Sequence, residues 1–67
     1  MTYTDWFLDT FQAWMASDRS QRLGQFVMNA LYDARREIYI AIVGTEADCF
    51  YLDTRMTAFA EKVQEKW

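Results

Sequence analysis

A chain of 67 residues makes one domain, 1–67, and a domain so short buries a modest fraction of its surface. It has one cysteine and no histidine, which excludes an internal disulfide and a Cys/His zinc site and leaves twelve aromatic residues, 18% of the chain, as the main source of a dense core. The formal net charge of −3 argues against a general nucleic-acid binder, which needs clustered Lys and Arg to displace counterions, so no direct nucleic-acid partner is expected.

Thr2 and Asp5 form a T-x-x-D pattern, an N-cap with an acid at the positive end of the helix dipole. Tyr3, Phe7, Phe11 and Trp14 then recur at helical spacing with Trp6 beside them, so a first helix is expected over about residues 3–16. The segment "ASDRSQ" interrupts it. Asp18 and Gln21 are then expected to cap a second helix, from about Arg19 to Tyr32 or Ala34. Its apolar stripe reads Leu23, Val27, Ala30 and Ala34, widened by Phe26 and Leu31. Gly24 lies inside this helix, where glycine costs ~1 kcal/mol against alanine. Close approach of another backbone is the expected reason for it.

Ile38 to Val43 are apolar or aromatic without a break, and several have high strand propensity. A lone strand would have nothing to pair with except another copy of the chain. A short helix with Gly44 at C′ fits the neighbours better. Ile38, Ala41 and Ile42 are expected to face inward, with Tyr39, Ile40 and Val43 covering much of the rest. A helix apolar all round must be buried on several sides, and a bundle this small covers only part of it. Residues 44 to 53 form a compact connection. Asp53 is expected to cap a fourth helix over about 54–66, where Met56, Phe59, Ala60 and Val63 repeat and Trp67 follows in phase. Lys62 and Lys66 suit its negative end. The expected fold is all-α, a compact bundle of four short helices.

Three fragments occur in order: "RLGQFVMNALYDARREI", "IVGTEADCFY" and "FAEKVQEKW". Together they resemble a group of short, uncharacterised proteins of phage genomes and related bacterial sequences. That group reads Arg-x-Gly-Gln, then Asn-x-Leu, then Gly-Thr-x-x-Asp-Pro-Phe-Tyr, and a late Trp. The matching positions are Arg22, Gly24, Gln25, Asn29, Leu31, Gly44, Thr45, Asp48, Phe50, Tyr51 and Trp67, so the resemblance covers roughly residues 19–67. The chain departs from it at Cys49, where the pattern has Pro, and at Arg36, where Pro often follows the helical arginine. The resemblance implies a phage setting, a mostly helical fold, and helix for Glu37 to Val43. It brings no activity with it.

Chemistry-bearing patterns are sparse. Cys49 has no histidine to serve as its base and reads as a structural thiol. Glu46, Asp48 and Asp53 lack EF-hand spacing, with Cys-Phe-Tyr-Leu where oxygen ligands would be needed. Glu61 and Glu65, beside Lys62 and Lys66, read as solvated surface. The two glycines form no phosphate loop. No catalytic residue, no metal and no cofactor is expected, and the chain reads as a non-enzyme.

Binding candidates fall into two sets. Arg22, Gln25, Asn29, Tyr32 and Arg36 step by three and four along one helix face. They either contact a partner or work internally, with Arg22 paired to Asp48 and Gln25 or Asn29 bonded to carbonyls of the 44–53 connection. Tyr39, Ile40, Val43 and Tyr51 are the second set. Of the aromatic residues Phe50 and Tyr51, either both plug the bundle or one is exposed beside Ile40 and Val43 as a hot spot, a role that suits Tyr and large apolar side chains. The expected partner-binding residues are therefore Tyr39, Ile40, Val43, Tyr51, Arg22, Gln25, Asn29 and Tyr32.

The expectation is a small acidic phage accessory protein that works by protein–protein interaction, as an inhibitor of a host or host-defence protein, CRISPR-type systems first. The partner is then a host or phage protein. The alternative is a homo-oligomeric structural or small-ligand-binding protein with residues 38–43 at the subunit interface. Residues 1 to 17 carry two Asp and no basic segment, and no run is long enough to span a bilayer. No membrane partner is expected, and the host cytoplasm is the expected location.

Overall fold

The structure, a computed structural model, describes residues 1–67. Four α-helices follow one another: α1 (Tyr3–Ala16), α2 (Leu23–Ala34), α3 (Arg36–Ile42) and α4 (Met56–Lys66), the last preceded by one 3₁₀ turn, Asp53–Arg55. There is no strand. The Cα radius of gyration is 10.8 Å. A well-packed chain of this length is expected near ~11 Å, so the single chain is compact.

α1 starts as its sequence indicates. Thr2 accepts the Asp5 N–H at 3.1 Å, satisfying one of the amides a helix leaves unpaired at its start. Trp6 and Thr10 are its buried residues, with Tyr3 and Phe7, stacked one turn apart, packed against the core. The buried Thr10 hydroxyl donates to the Trp6 carbonyl one turn back, at 2.8 Å.

α2 begins at Leu23, four residues after the expected Arg19. Asp18 does not cap it. Its carboxylate accepts the Ser20 N–H at 3.0 Å, closing a local turn in which Arg19 takes φ 56°. That bond, first from the Ser20 amide and then from its side chain, holds the Asp18 carboxyl below its ordinary pKa. The Trp14 indole fixes the loop by donating to the Gln21 carbonyl at 2.8 Å. The inward stripe of α2 is Gly24, Val27, Met28 and Leu31, at i, i+3, i+4 and i+7. This corrects the expected stripe. Val27 stays inside, but Ala34 is exposed, and Leu23, Phe26 and Ala30 lie on the flanks.

α3 packs mainly against α2 and also against α4. Ile38 and Ile42, one turn apart, are its buried residues. Val43 is its C-cap and Gly44 follows with φ 78°, the left-handed residue expected at C′. Ala41 is exposed, which corrects its inward assignment. On seven residues the inward arc is filled by one i,i+4 pair, and Ala41 lies outside it, bordering a shallow groove with Lys62 and Lys66.

α4 turns Phe59 and Val63 fully inward, and Met56 and Ala60 flank them. Trp67 then folds over the end of the bundle. Its ring lies 5.3 Å from Trp6 and 6.0 Å from Tyr3, centroid to centroid. The Arg35 guanidinium sits 4.4 Å from the same ring, and its indole donates to the Met1 carbonyl at 2.9 Å. The core is thus Trp6, Val27, Met28, Leu31, Ile38, Ile42, Ala47, Cys49, Phe59 and Val63. Both ends of the chain close it on one side, and the 44–53 connection closes it on another.

Candidate functional site

The connection is built by its own side chains. Asp48 accepts the Gly44 N–H at 2.8 Å and the Phe50 N–H at 3.0 Å, one with each carboxylate oxygen. The Thr45 hydroxyl donates to the Ile42 carbonyl and accepts the Ala47 N–H. These bonds supply partners for backbone groups that a turn would otherwise leave unmet. Ala47 and Cys49 are thereby pushed into the core, at 1% and 0% exposure, while Tyr51 and Leu52 stand out of it.

α2 holds the connection from the other side. A Cβ on Gly24 would lie 2.0 Å from the Cys49 carbonyl oxygen, so glycine is required there by space. The Gly24 N–H donates to Asp53 Oδ1 at 2.8 Å. Asp53 therefore serves α2 and does not cap α4, which corrects the cap expected from the sequence. The Cys49 thiol donates to the Gly24 carbonyl at 3.6 Å. Arg22 donates to the Phe50 carbonyl. The expected Arg22–Asp48 pair does not form: Asp48 accepts the Gly44 and Phe50 amides, and Arg22 is directed to the Phe50 carbonyl. Gln25 and Asn29 do not bond the connection's carbonyls; Arg22 and Arg55, the latter on the Thr45 carbonyl at 3.3 Å, do so instead.

Three of the candidate residues converge. Tyr39, Val43 and Tyr51, with Met28, Asp48 and Phe50, line one open groove of about 160 Å³. Phe50 and Tyr51 meet edge to face, with ring centroids 4.9 Å apart. Tyr51 is 79% exposed, Ile40 66% and Val43 43%. Ile40 is outside the groove but one helical turn before Val43 on α3, so the apolar surface continues to it. Tyr32 is exposed on α2 and crosses Tyr39 edge to face at 5.1 Å, while the Arg36 guanidinium stacks 4.2 Å over the Tyr32 ring. Tyr32 thereby joins the stripe on α2 to the groove. Gln25 and Asn29 lie on α2 but not in the groove lining.

Two features of this surface were not read from the sequence. Leu52 is exposed and lines a second, adjoining groove of about 270 Å³ with Gly44, Thr45, Asp48, Tyr51 and Arg55. An isolated arginine in a helical period carries no sequence signal; only the turn of 44–53 brings Arg55 into one groove with Tyr51.

The site offers shape and hydrogen bonding. Burial, its largest cause, pushes the Cys49 thiol up from 9.0 to about 12, with nearby Asp48 and Asp53 adding to it. That keeps it protonated and unreactive as a nucleophile. Burial first, and the neighbouring Cys49 second, raise the Tyr3 phenol from 10.0 to about 12. No group of three or more His, Cys, Asp or Glu is placed to hold a metal ion.

These shifts give a pH dependence. An unfolded chain releases both protons near their ordinary values, whereas the native state keeps them to about pH 12. Stability is therefore complete below about pH 9 and falls as pH rises toward 12, by up to ~1.4 kcal/mol per pH unit for each group. The thermal midpoint should drop over that window. Cys49→Ala should flatten the first part of the fall, between about pH 9 and 10, and leave the part due to Tyr3.

The fold and the surface define a small all-α bundle that presents an aromatic-lined groove. No protein-family model, no curated protein and no solved structure matches the chain. No helix is long and apolar enough to cross a membrane.

Proposed function

We propose that the chain acts by protein–protein interaction, as a small phage-encoded accessory protein that binds and inhibits a host protein in the host cytoplasm. The observation that carries this reading is the exposed patch of Ile40, Val43 and Tyr51 around the aromatic groove. A bundle with a closed core has no internal need for a 79% exposed tyrosine and a 43% exposed valine lining one groove. Large exposed apolar groups that adjoin one another mark partner sites. The motif resemblance supports the phage setting, and within it a defence protein of the CRISPR type is the first target to test. Tyr39 and Tyr32 extend the contact surface. Gln25 and Asn29, on the same helix as Tyr32, are proposed contacts outside the groove lining, and Arg22 holds the Phe50 carbonyl.

An affinity pull-down from infected-cell lysate, read by mass spectrometry, tests the reading. One host protein should be retained by the wild type and lost, by more than about tenfold, with Tyr51→Ala, which removes an exposed ring and leaves the core intact. Recovery of the chain itself alone, with a mass in light scattering that rises with concentration, would replace this reading with a homo-oligomer joined through residues 38–43.

A further inference from the structure

The groove sits in an unusual electrostatic frame for a chain of net charge −3. Three arginines adjoin it without lining it. Arg36 stacks on Tyr32, whose ring packs on Tyr39 of the groove wall. Arg22 bonds the carbonyl of Phe50, also in the wall. Arg55 shares the adjoining groove with Tyr51, which lines both. None of the three has a carboxylate within salt-bridge distance; the ion pairs of the molecule are Arg35–Glu37 and Lys62–Glu65, and neither involves the groove. The one acid in the lining, Asp48, spends an oxygen on each of the Gly44 and Phe50 amides but keeps its negative charge, against which the three arginines stand. The groove lining is therefore apolar but for Asp48, and three guanidiniums without carboxylate partners lie on residues that adjoin it.

A guanidinium stacked on a ring keeps its N–H edge open for a carboxylate, and such charge-assisted bonds are among the stronger ones available at a surface. An apolar lining takes a bulky side chain in the same segment. Building on the protein-interaction reading above, we propose that the groove of Tyr39, Val43, Phe50 and Tyr51 receives an acidic segment of the partner protein. A bulky apolar side chain of that segment lies between the rings, and its carboxylates meet Arg36 and Arg55. Arg22, committed to the Phe50 carbonyl, contributes its charge and holds the wall.

The test uses three labelled synthetic peptides: one phenylalanine among aspartates and glutamates, the same acids with alanine for the phenylalanine, and one phenylalanine among lysines. A labelled oligothymidylate is the fourth probe. Fluorescence anisotropy gives affinity, and amide shifts of the isotope-labelled protein give location. The acidic phenylalanine peptide should bind best, shift Val43 and Tyr51, and weaken as salt is raised. Arg36→Gln and Arg55→Gln should each weaken it several-fold, and Tyr51→Ala by about tenfold or more. Circular dichroism checks that each variant is folded.

Equal binding of the lysine peptide, tighter binding of the oligothymidylate, or no shift at Val43 and Tyr51 at millimolar peptide would each overturn the proposal. A lysate partner that is lost with Tyr51→Ala but held equally by Arg36→Gln and Arg55→Gln would also overturn it. That last result leaves the protein-interaction reading standing, so the two failures are distinguishable.

Discussion

Gly24→Ala should lower the thermal midpoint by roughly 10–20 °C, a loss of ~2–3 kcal/mol in a domain of this size. The direction is the informative part. Alanine in place of glycine within a helix ordinarily gains ~1 kcal/mol. Here the added methyl would sit 2.0 Å from the Cys49 carbonyl oxygen and 2.7 Å from Asp53 Oδ1. Backbone, and not a yielding side-chain tip, blocks it, so α2 and the 49–53 segment must part. Parting them strains the Gly24–Asp53 and Arg22–Phe50 bonds as well. Gly44 gives the opposite case: nothing lies within 4 Å of a Cβ there, but φ is 78°. Gly44→Ala should cost only ~1 kcal/mol, for the left-handed backbone alone. Thermal melts of the two variants separate the effects, and an unchanged midpoint for Gly24→Ala would refute the close approach.

Ile42→Asp should leave no folded protein at 25 °C, whereas Ile40→Asp should fold normally and lose its partner. The two residues lie on the same seven-residue helix, at 1% and 66% exposure. A carboxylate at Ile42 would start in the core at 1% exposure. Turning it out toward Lys62 and Lys66, which line a groove that touches Ile42, would empty that core position, so either way the cost is several kcal/mol. A single core in so short a chain supplies little more than ~3–5 kcal/mol in total. At Ile40 the same carboxylate stays in water. It would also oppose an acidic partner, so binding should fall further than with Ile40→Ala. Circular dichroism reads the fold and pull-down the binding. If both aspartate variants are unfolded, the α3 surface is core and the binding site lies elsewhere.

The elements were largely legible because their signals are local. Tyr3–Ala16 declares itself through a cap and a helical period, and both are properties of neighbours in sequence. The helical state of α3 followed from the lack of any strand to pair with, and its end from Gly44. What failed to show were polar side chains whose partners lie far along the chain. Asp18 and Asp53 both have the chemistry of a cap. One closes its own turn, and the other reaches a helix 29 residues away. Nothing in the spacing tells these outcomes apart. The exposed and buried sides of α3 were partly readable, since Ile38 and Ile42 against Ile40 and Val43 is a helical alternation. Ala41 was misplaced because a small side chain leaves little imprint on either side. The convergence of Tyr39, Val43 and Tyr51 was expected only as proximity; the groove between them depends on the path of 44–53, which Asp48 and Arg22 set. The function of that groove has no sequence signal beyond the residues themselves.

The thiol of Cys49 also makes the molecule its own clock. It is wholly enclosed, its proton is held on the Gly24 carbonyl, and its pKa is pushed up to about 12. A reagent in solution reaches it only in moments when the connection lifts from α2, and such sub-global openings have free energies of their own, below that of unfolding. The ratio of its alkylation rate to that of a free thiol therefore measures how often the Tyr51 wall detaches. A partner that grips that wall closed slows the rate, and one that pulls it open speeds it, without any label being added to the chain.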